Sequence, residues 1–219
     1  MKKYLEILKK CPLFTGIAEK DLPVLLNCLG AKVDSFDKKY TVMAEGSSAK
    51  YIGIVLSGAV QTERTDYFGN RSIIGITGEA EVFGEAFACI GTDKLPVSVV
   101  AVRMSEIMFI DIGHILHTCS NNCHFHNRLI FNLMQDIATK TVNIHQKMEI
   151  IAKRSTREKL LSYLSMVSKK EGNSSFYIPF DRQQLADFLE VDRSGLSAEI
   201  GKLKKEGILG CRKNYFELY

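Results

Sequence analysis

The side chains best suited to chemistry lie between residues 181 and 207, where one arginine and several short polar residues follow a predicted turn. Asp181, with Gln184 three residues later, forms the capping-box pattern that begins a helix. Asp192 is expected to begin a second helix and Gly207 to end it. Two short helices joined by a tight turn can place the second helix in the DNA major groove. The stretch therefore predicts a helix-turn-helix.

The second of these helices has a face that could contact base edges. Leu196, Ile200 and Leu203 are spaced four and three residues apart, which predicts the buried side of the helix. Arg193 then faces outward, and a planar guanidinium can bind guanine O6 and N7 together. The predicted DNA contacts are Arg182, Gln183, Arg193, Ser194, Ser197, Lys202, Arg212 and Lys213. The alternative is a surface helix hairpin in some other helical domain.

The last twelve residues, 208 to 219, contain two strand-like runs around the basic turn Arg212-Lys213-Asn214. This pattern predicts the wing of a winged helix-turn-helix. Arg212 or Lys213 could reach a phosphate, a contact that positions a protein on DNA without selecting a sequence. A basic turn is also common on solvated surfaces, so the interpretation of this turn as a wing depends on the two helices that precede it.

The length, composition and charge of the chain limit the kinds of protein in which these motifs could occur. A chain of 219 residues with 46% hydrophobic and 25% charged composition can bury one or two ordinary cores, and we expect two domains. The net charge of +4 is mild, so nucleic-acid binding must come from a local basic face. No apolar run is long enough to predict a membrane span, and we expect a cytoplasmic location. The six cysteines have no regular spacing and are expected to be reduced.

Two changes of periodicity precede the helix-turn-helix. Residues 31 to 112 form short alternating segments broken by glycine, which predicts an antiparallel β-roll. From about Cys123 the period becomes helical, and apolar positions alternate at spacings of four and three residues over three heptads. The predicted dimer seam consists of Ile130, Met134, Ile137, Thr141, Ile144, Met148 and Ile151. The alternative is that this face packs on the chain's own β-roll.

A patch rich in cysteine and histidine lies between the roll and this helix. It contains His114, His117, Cys119, Cys123, His124 and His126. Thiolate and imidazole ligands suit zinc or ferrous iron, and Cys119 and Cys123 would share one face of a helix. A bound metal, a dithiol redox switch and ordinary packing at the start of a helix all remain open. We predict packing, with no metal ligands, and the sequence identifies no cofactor.

Several short motifs, taken in order, resemble the Crp/Fnr superfamily of bacterial transcription regulators over essentially the whole chain. The matching segments are Cys11-Pro-Leu-Phe-Thr-Gly16, Ala44-Glu-Gly46, Ile52-Gly-Ile-Val-Leu-Ser-Gly58, Phe83-Gly-Glu85, Arg182-Gln183 and Asp192-Arg-Ser194. The resemblance implies an α+β fold with an antiparallel, jelly-roll-like β-roll and short helices, a long dimerisation helix and a winged helix-turn-helix. The expected boundaries are 1–122 for an effector-sensing domain, 123–153 for the dimerisation helix and 154–219 for the DNA-binding domain.

The resemblance also implies partners. A homodimer of this kind would bind an inverted repeat in double-stranded DNA, and RNA polymerase is a further candidate partner. A small-molecule effector would change the relation between the β-rolls and the dimer helices. No membrane partner is expected.

The chain departs from its cyclic-nucleotide-binding relatives at the phosphate-binding cassette. Those relatives carry an arginine about ten residues after the Gly-Glu pair, whereas Leu95-Pro96 stands here and Lys94 is the only nearby cation. Cyclic AMP and cyclic GMP are therefore not expected as effectors, and a small apolar or weakly acidic molecule is the leading hypothesis. The candidate effector residues are Phe83, Gly84, Glu85, Phe87 and Leu95. Glu85 is expected to accept backbone N–H bonds within the cassette, or else to accept a donor from the ligand.

Competing classes have less support. A metal-dependent cupin would need histidines inside the roll, and all five lie between His114 and His145. No G-x-S-x-G elbow, Walker loop or paired-carboxylate motif is present, so we do not expect an enzyme. A Cys/His metal or redox sensor, or a ligand-binding module that acts on a protein partner, are the alternatives.

Overall fold

A computed structural model describes residues 2–116 and 125–219. The chain divides into two compact units. The first consists of residues 1–65 and 74–141, and the second of residues 66–73 and 142–219. The second unit therefore receives a segment from the middle of the chain as well as its carboxyl-terminal part.

The described helices are α1 (Leu5–Leu8), α2 (Leu22–Cys28), α3 (Glu85–Ile90), α4 (Ile112–Leu116), α5 (Phe125–Ile151), α6 (Thr156–Glu171), α7 (Arg182–Leu189) and α8 (Arg193–Lys205). Short 3₁₀ turns cover Lys2–Tyr4, Pro12–Phe14 and Glu19–Asp21. The strands are β1 (Lys32–Phe36), β2 (Thr41–Met43), β3 (Tyr51–Ser57), β4 (Val60–Thr65), β5 (Arg71–Thr77), β6 (Val82–Phe83), β7 (Ser98–Ala101), β8 (Ser105–Asp111), β9 (Ser175–Tyr177), β10 (Leu209–Arg212) and β11 (Tyr215–Leu218). None of the described helices is both long and apolar enough to cross a membrane.

Two four-stranded sheets form the predicted β-roll, with strand orders β1-β8-β3-β6 and β2-β7-β4-β5. Strand β3 is central, because it pairs antiparallel with both β8 and β6. Its interior positions from Ile52 to Leu56 are buried without alternation, since both faces of the strand are covered. Ile52, Ile54 and Leu56 pack against α1, α2 and the start of α5, whereas Val55 belongs to a second cluster with Phe83 and Ile107.

Gly53 allows the close approach of the cassette to β3. A Cβ atom at this position would lie 2.1 Å from Cζ of Phe83, so only glycine leaves room for the ring. Directly after Phe83, Gly84 adopts φ 79°, a left-handed conformation that favours glycine. The chain turns there, and Glu85 becomes the first residue of α3. Phe83 and Gly84 thus position the cassette carboxylate.

In the second unit, α6, α7 and α8 pack with the sheet β10-β11-β9. Its core includes Leu160, Tyr163, Leu164, Phe180, Leu185, Phe188, Leu196, Ile200, Leu203 and Phe216. The segment 66–73 joins this unit through Arg71, whose guanidinium lies 2.6 Å from Oδ2 of Asp187 on α7. Lys147 of α5 donates to the carbonyl oxygen of Ile73 and lies 4.5 Å from the ring centroid of Phe188. Burial lowers the pKa of Lys147.

Helix α6 continues to Glu171, and Gly172 ends it with φ 65°. Strand β9 starts at Ser175, so only residues 172–174 separate the two elements. Strand β9 was not predicted from the sequence.

Candidate functional sites

Helix α7 begins after the predicted cap. The Asp181 carboxylate accepts from the backbone N–H of Gln184 at 2.9 Å, and the Gln184 side chain accepts from the backbone N–H of Asp181 at 2.9 Å. The helix ends at Leu189, and the next residue, Glu190, adopts φ 54° and so turns the chain toward α8. The capping box predicted from residue types is thus confirmed, and it fixes where the turn between the two helices lies.

Helix α8 begins at the predicted Asp192. Its carboxylate accepts from the hydroxyl of Ser194 and from the backbone N–H of Gly195, the latter at 2.8 Å. These bonds, the Ser194 hydroxyl first, lower the pKa of Asp192. The buried side of the helix is Leu196, Ile200 and Leu203, as predicted. The opposite side, with Arg193, Ser194 and Ser197, is exposed.

The predicted DNA contacts fall into two groups. Arg193, Ser194, Ser197, Lys202, Arg212 and Lys213 are exposed. Arg182 is partly buried, and its Nη2 donates to Sγ of Cys211 at 3.2 Å while its guanidinium lies over the ring of Phe216. Gln183 is exposed but donates to Oδ1 of Asp187 at 2.7 Å. In this conformation, Arg182 connects α7 to the wing, and Gln183 bonds within α7.

The wing is a hairpin of β10 and β11 whose turn lies at Lys213 and Asn214. Asn214 anchors this turn, because its side-chain amide donates to the carbonyl of Ile178 at 3.1 Å and its own carbonyl accepts from the Ile178 N–H at 2.9 Å. Lys213 adopts φ 57°. The side chains of Arg212 and Lys213 consequently extend from a fixed turn into solvent.

A second anchor connects α6 to α8. Arg157 lies 2.5 Å from Glu206 and 3.4 Å from Glu199, both on or next to α8. The hydrogen bond with Glu206 is the main cause of a raised pKa at Arg157 and of a lowered pKa at Glu206. These residues were not singled out in the sequence. Their role depends on two helices meeting, which no local pattern encodes.

On the sensor side, the predicted effector residues lie in different environments. Phe83 and Leu95 are buried, whereas Phe87 is partly exposed. Leu95 is held by backbone bonds, its N–H to Ser47 O and its carbonyl oxygen to Gly46 N, both at 2.8 Å. The side chain at the place of the relatives' arginine is thus an apolar one in the core. Lys94, next to it, is exposed.

Glu85 is buried, with only 7% of its side chain exposed, and the structure gives it a partner that the sequence did not suggest. Its Oε1 lies 3.1 Å from Nζ of Lys140 on α5. We expected backbone N–H groups to hold this carboxylate, but the described contact is a lysine ammonium. The same ammonium donates to Val82 O at 2.7 Å and to Asp136 Oδ2 at 2.6 Å. Lys140 and Asp136 were not predicted as site residues, although Asn132, Asp136 and Lys140 form a polar stripe at a spacing of four.

The same side of α5 makes further polar contacts with the first unit. The Asn132 side chain donates to the carbonyl oxygens of Leu13 and Thr15 at 2.8 and 2.9 Å. Near the start of the helix, Nε2 of His126 lies 3.1 Å from the carbonyl oxygen of His114. Together with buried Leu129 and Leu133, these contacts form the face of α5 that belongs to the first unit.

The predicted dimer seam lies mostly on a different side of α5. Met134, Thr141, Ile144 and Met148 are exposed, and Ile130, Ile137 and Ile151 are half-buried. Ile130 and Ile137 also pack against the core of the first unit. Near the amino-terminal end of α5, the seam residues Ile130 and Ile137 therefore also contact the chain's own core. From Thr141 to Met148 the seam residues face solvent.

Part of the cysteine and histidine patch falls outside the described residues, namely His117, Cys119, Cys123 and His124. Of the patch's other members, Nδ1 of His114 lies 2.9 Å from the carbonyl oxygen of Leu29, and His126 contacts the backbone of His114. Within residues 2–116 and 125–219, no group of three or more His, Cys, Asp or Glu side chains could hold a metal ion.

Comparisons with known proteins agree with this architecture. Residues 33–122 match the family model of the cyclic nucleotide-binding domain. The transcriptional activator protein FnrL of Cereibacter sphaeroides is 18% identical over 184 residues, which cover 80% of this chain and 71% of FnrL.

Two solved structures extend the likeness to both units. FixK2 from Bradyrhizobium japonicum has a TM-score of 0.68 at 17% identity, covering 86% of this chain and 92% of its own. CLP, a c-di-GMP responsive global regulator from Xanthomonas campestris, has a TM-score of 0.74 at 17% identity, covering 90% and 99%. The chain therefore shares the fold of these proteins over most of its length, and its residues 33–122 match the cyclic nucleotide-binding domain.

Proposed function

We propose that this protein is a homodimeric, effector-responsive transcription regulator that binds an inverted repeat in DNA through α8. The observation that carries the proposal is the exposed face of α8. Arg193, Ser194 and Ser197 occupy it, and the cap at Asp192 fixes the first turn on which they lie. Short side chains around one guanidinium allow a helix to approach base edges closely.

The wing supports the same function. Arg212 and Lys213 extend from a turn that Asn214 anchors to the backbone of Ile178. A cation held in this way suits a phosphate contact, which fixes the position of the recognition helix but carries no base information. Lys202 adds a further exposed cation on α8 itself.

Dimerisation is supported by apolar side chains that one chain leaves in solvent. Met134 is 64% exposed, Ile144 51% and Met148 57%, all on one predicted seam of α5. A heptad stripe of this kind is buried when a second copy packs against it. Two copies related by a two-fold axis would bind half-sites about one helical turn apart, roughly 34 Å.

The test begins with selection of binding sites from random DNA. An inverted repeat is expected, because identical recognition helices meet identical half-sites. Arg193→Ala should lose about 1–3 kcal/mol of binding free energy and relax the preference at one position of each half-site. Lys213→Ala should weaken binding to all sequences alike and reduce the salt dependence, since a phosphate contact releases counterions.

A matched control is Lys169→Ala, which removes an exposed cation from α6, away from the proposed contacts. Its affinity and selected motif should equal those of the wild type. If Arg193→Ala selected the same motif as the wild type, α8 would not be the helix that contacts bases. If no condition yielded a palindrome, the homodimeric DNA-binding function would be wrong.

A further inference from the structure

Lys140 lies inside a cluster of acceptors that matches an ammonium group. An ammonium has three N–H donors. Three oxygens surround this one: Val82 O at 2.7 Å, Asp136 Oδ2 at 2.6 Å and Glu85 Oε1 at 3.1 Å. They come from the cassette and from α5, so the cluster joins two elements of the first unit. The ammonium donates hydrogen bonds to Val82 O and Asp136 Oδ2, and Glu85 Oε1 lies at ion-pair distance from it.

The cluster is largely withdrawn from water, and one acceptor in it is left over. Side-chain exposure is 7% for Glu85, 10% for Asp136 and 31% for Lys140. Oε2 of Glu85 is buried and has no hydrogen-bond partner among the described residues. A buried polar atom without a partner is uncommon in folded proteins and marks a place where a donor is missing. Glu85 can therefore accept one more donor than the described residues supply.

The charges of the cluster favour the same kind of occupant. Two carboxylates face one ammonium, which leaves the cluster with one formal negative charge. An anionic ligand would meet repulsion here, whereas a cationic one would find two carboxylates in a setting of reduced dielectric. Leu95, which stands where the family resemblance implies an arginine, is apolar and therefore adds no compensating cation.

We propose that the cassette of this protein is a cation site whose resident ligand is its own Lys140, and that the effector acts by bringing an ammonium or guanidinium group that replaces it at Glu85. This inference rests on the proposed effector-responsive function. It also changes the expected effector class, from an apolar or weakly acidic molecule to a small organic cation. Displacement of Lys140 would release its section of α5 from the cassette, and α5 is the helix that carries the proposed dimer seam.

Chemical rescue tests the site without knowledge of the natural effector. Lys140→Ala removes the three outer methylene groups and the ammonium, and propylammonium supplies the same atoms. We expect Lys140→Ala to melt at a lower temperature than the wild type and to exchange amide hydrogens faster around Asp136. Propylammonium should raise its melting temperature by roughly 2 °C or more and should restore the slow exchange.

Ligand and protein controls separate a cation site from a cavity. Propanol and propionate fill the same volume without the positive charge and should have little effect. The double variant Lys140→Ala with Glu85→Gln lacks the carboxylate and should show no rescue by propylammonium. Lys94→Ala removes an exposed lysine beside the cassette and should neither lower the melting temperature nor respond to the amine. Equal stabilisation of Lys140→Ala by propanol and propylammonium would overturn the cation site.

DNA binding tests the regulatory part. Lys140→Ala should change the dissociation constant for the selected DNA by about 5-fold or more, and propylammonium should reverse the change. Lys94→Ala should bind DNA like the wild type. Rescue of stability with unchanged DNA affinity would refute the regulatory role of Lys140 but retain the site. Failure of all proteins, wild type included, to bind any DNA would instead refute the proposed function.

Discussion

Gly53 has no side chain, and the position of the cassette depends on that fact. The ring of Phe83 occupies the space where a Cβ of residue 53 would stand. Phe83 is followed by Gly84, whose positive φ starts α3 with Glu85. A displacement of the ring would therefore shift the carboxylate that Lys140 contacts. The position of the Glu85 carboxylate therefore depends on the absence of a side chain at residue 53.

Replacing Gly53 with alanine should destabilise the first unit. The added Cβ would lie 2.1 Å from the Phe83 ring, so the ring or the strand must move. Overpacking of a core typically costs about 1–3 kcal/mol. Denaturant unfolding of Gly53→Ala should show this loss in the free energy of unfolding.

Gly75→Ala is the matched control. Gly75 also lies in a strand of the same roll, but a Cβ there would meet no atom within 4 Å. Its stability should stay within about 0.5 kcal/mol of the wild type. Equal losses from both variants would show that the cost comes from the strand backbone and not from contact with Phe83.

Site residues whose positions follow from local signals could be predicted from the sequence, whereas residues that depend on long-range contacts could not. Arg193 could be predicted because its position follows from a local cap and a local apolar stripe. Lys140 could not, because its partner Glu85 lies far away along the chain and only the fold brings them together. The partial withdrawal of Arg182 toward Cys211 likewise depends on the wing, which follows later in the chain.

Among the elements, α5 has two distinct faces, one that packs on the first unit and one that exposes apolar side chains. Leu129, Leu133 and the polar side chains from Asn132 to Lys140 contact the first unit. The exposed apolar positions around Ile144 lie on another side. Heptad spacing indicated a seam but could not show that Ile130 and Ile137 also pack on the chain's own core. Heptad spacing predicts which residues share one face of a helix, but it does not predict which part of the protein packs against that face.

A charge placed in this seam should separate the dimer. Ile144→Glu would bury a carboxylate without a partner when two copies associate. We expect a loss of about 3 kcal/mol in association free energy, or roughly a hundredfold in the dimer dissociation constant. Analytical ultracentrifugation over a concentration series measures this constant.

Gln146→Glu introduces the same charge on an exposed position of α5 that is not part of the seam. Its dimer dissociation constant should remain close to that of the wild type. A wild-type protein that stayed monomeric over the whole concentration range would contradict the assignment of the seam. So would a dimer that tolerates Ile144→Glu.

Some boundaries of helices and strands can be predicted from the local sequence, and others cannot. The starts of α7 and α8 could be predicted because their caps at Asp181 and Asp192 are encoded within four residues. Strand β9 could not, because three residues are too few for a pattern and gain their structure by pairing with β11. The long-range pairing, not the local sequence, makes Ser175–Tyr177 a strand.

For the whole molecule, the fold and the ligand must be considered separately. Residues 33–122 match the cyclic nucleotide-binding domain, yet Leu95, where the family resemblance implies an arginine, is apolar and buried. A fold can be shared among proteins that bind different ligands, because specificity lies in a few side chains. The proposed cation site at Glu85 would favour cations over a cyclic phosphate.

Cyclic AMP and cyclic GMP should therefore not bind at useful concentrations. The ammonium of Lys140 is already paired with Asp136 and Glu85, so the phosphate would lack a cationic partner of its own. A missing partner in a buried ion pair costs about 3–5 kcal/mol. Isothermal titration calorimetry with either nucleotide at millimolar concentration should show no saturable heat. Micromolar binding of either one would mean that another cation reaches the phosphate, and the interpretation of Leu95 would be incorrect.

The composition of the second unit has a consequence for how such a protein can be divided. Because the segment Asp66–Ile73 belongs with residues 142–219, the boundary between units crosses the chain more than once. A fragment beginning at Val142 would lack Arg71 as the partner of Asp187 and the Ile73 carbonyl as the acceptor of Lys147. A single recombination event that joined this carboxyl-terminal part to a foreign sensor would therefore deliver an incomplete module. Exchange of regulatory parts between relatives would have to carry the hairpin segment along with the helices that it contacts.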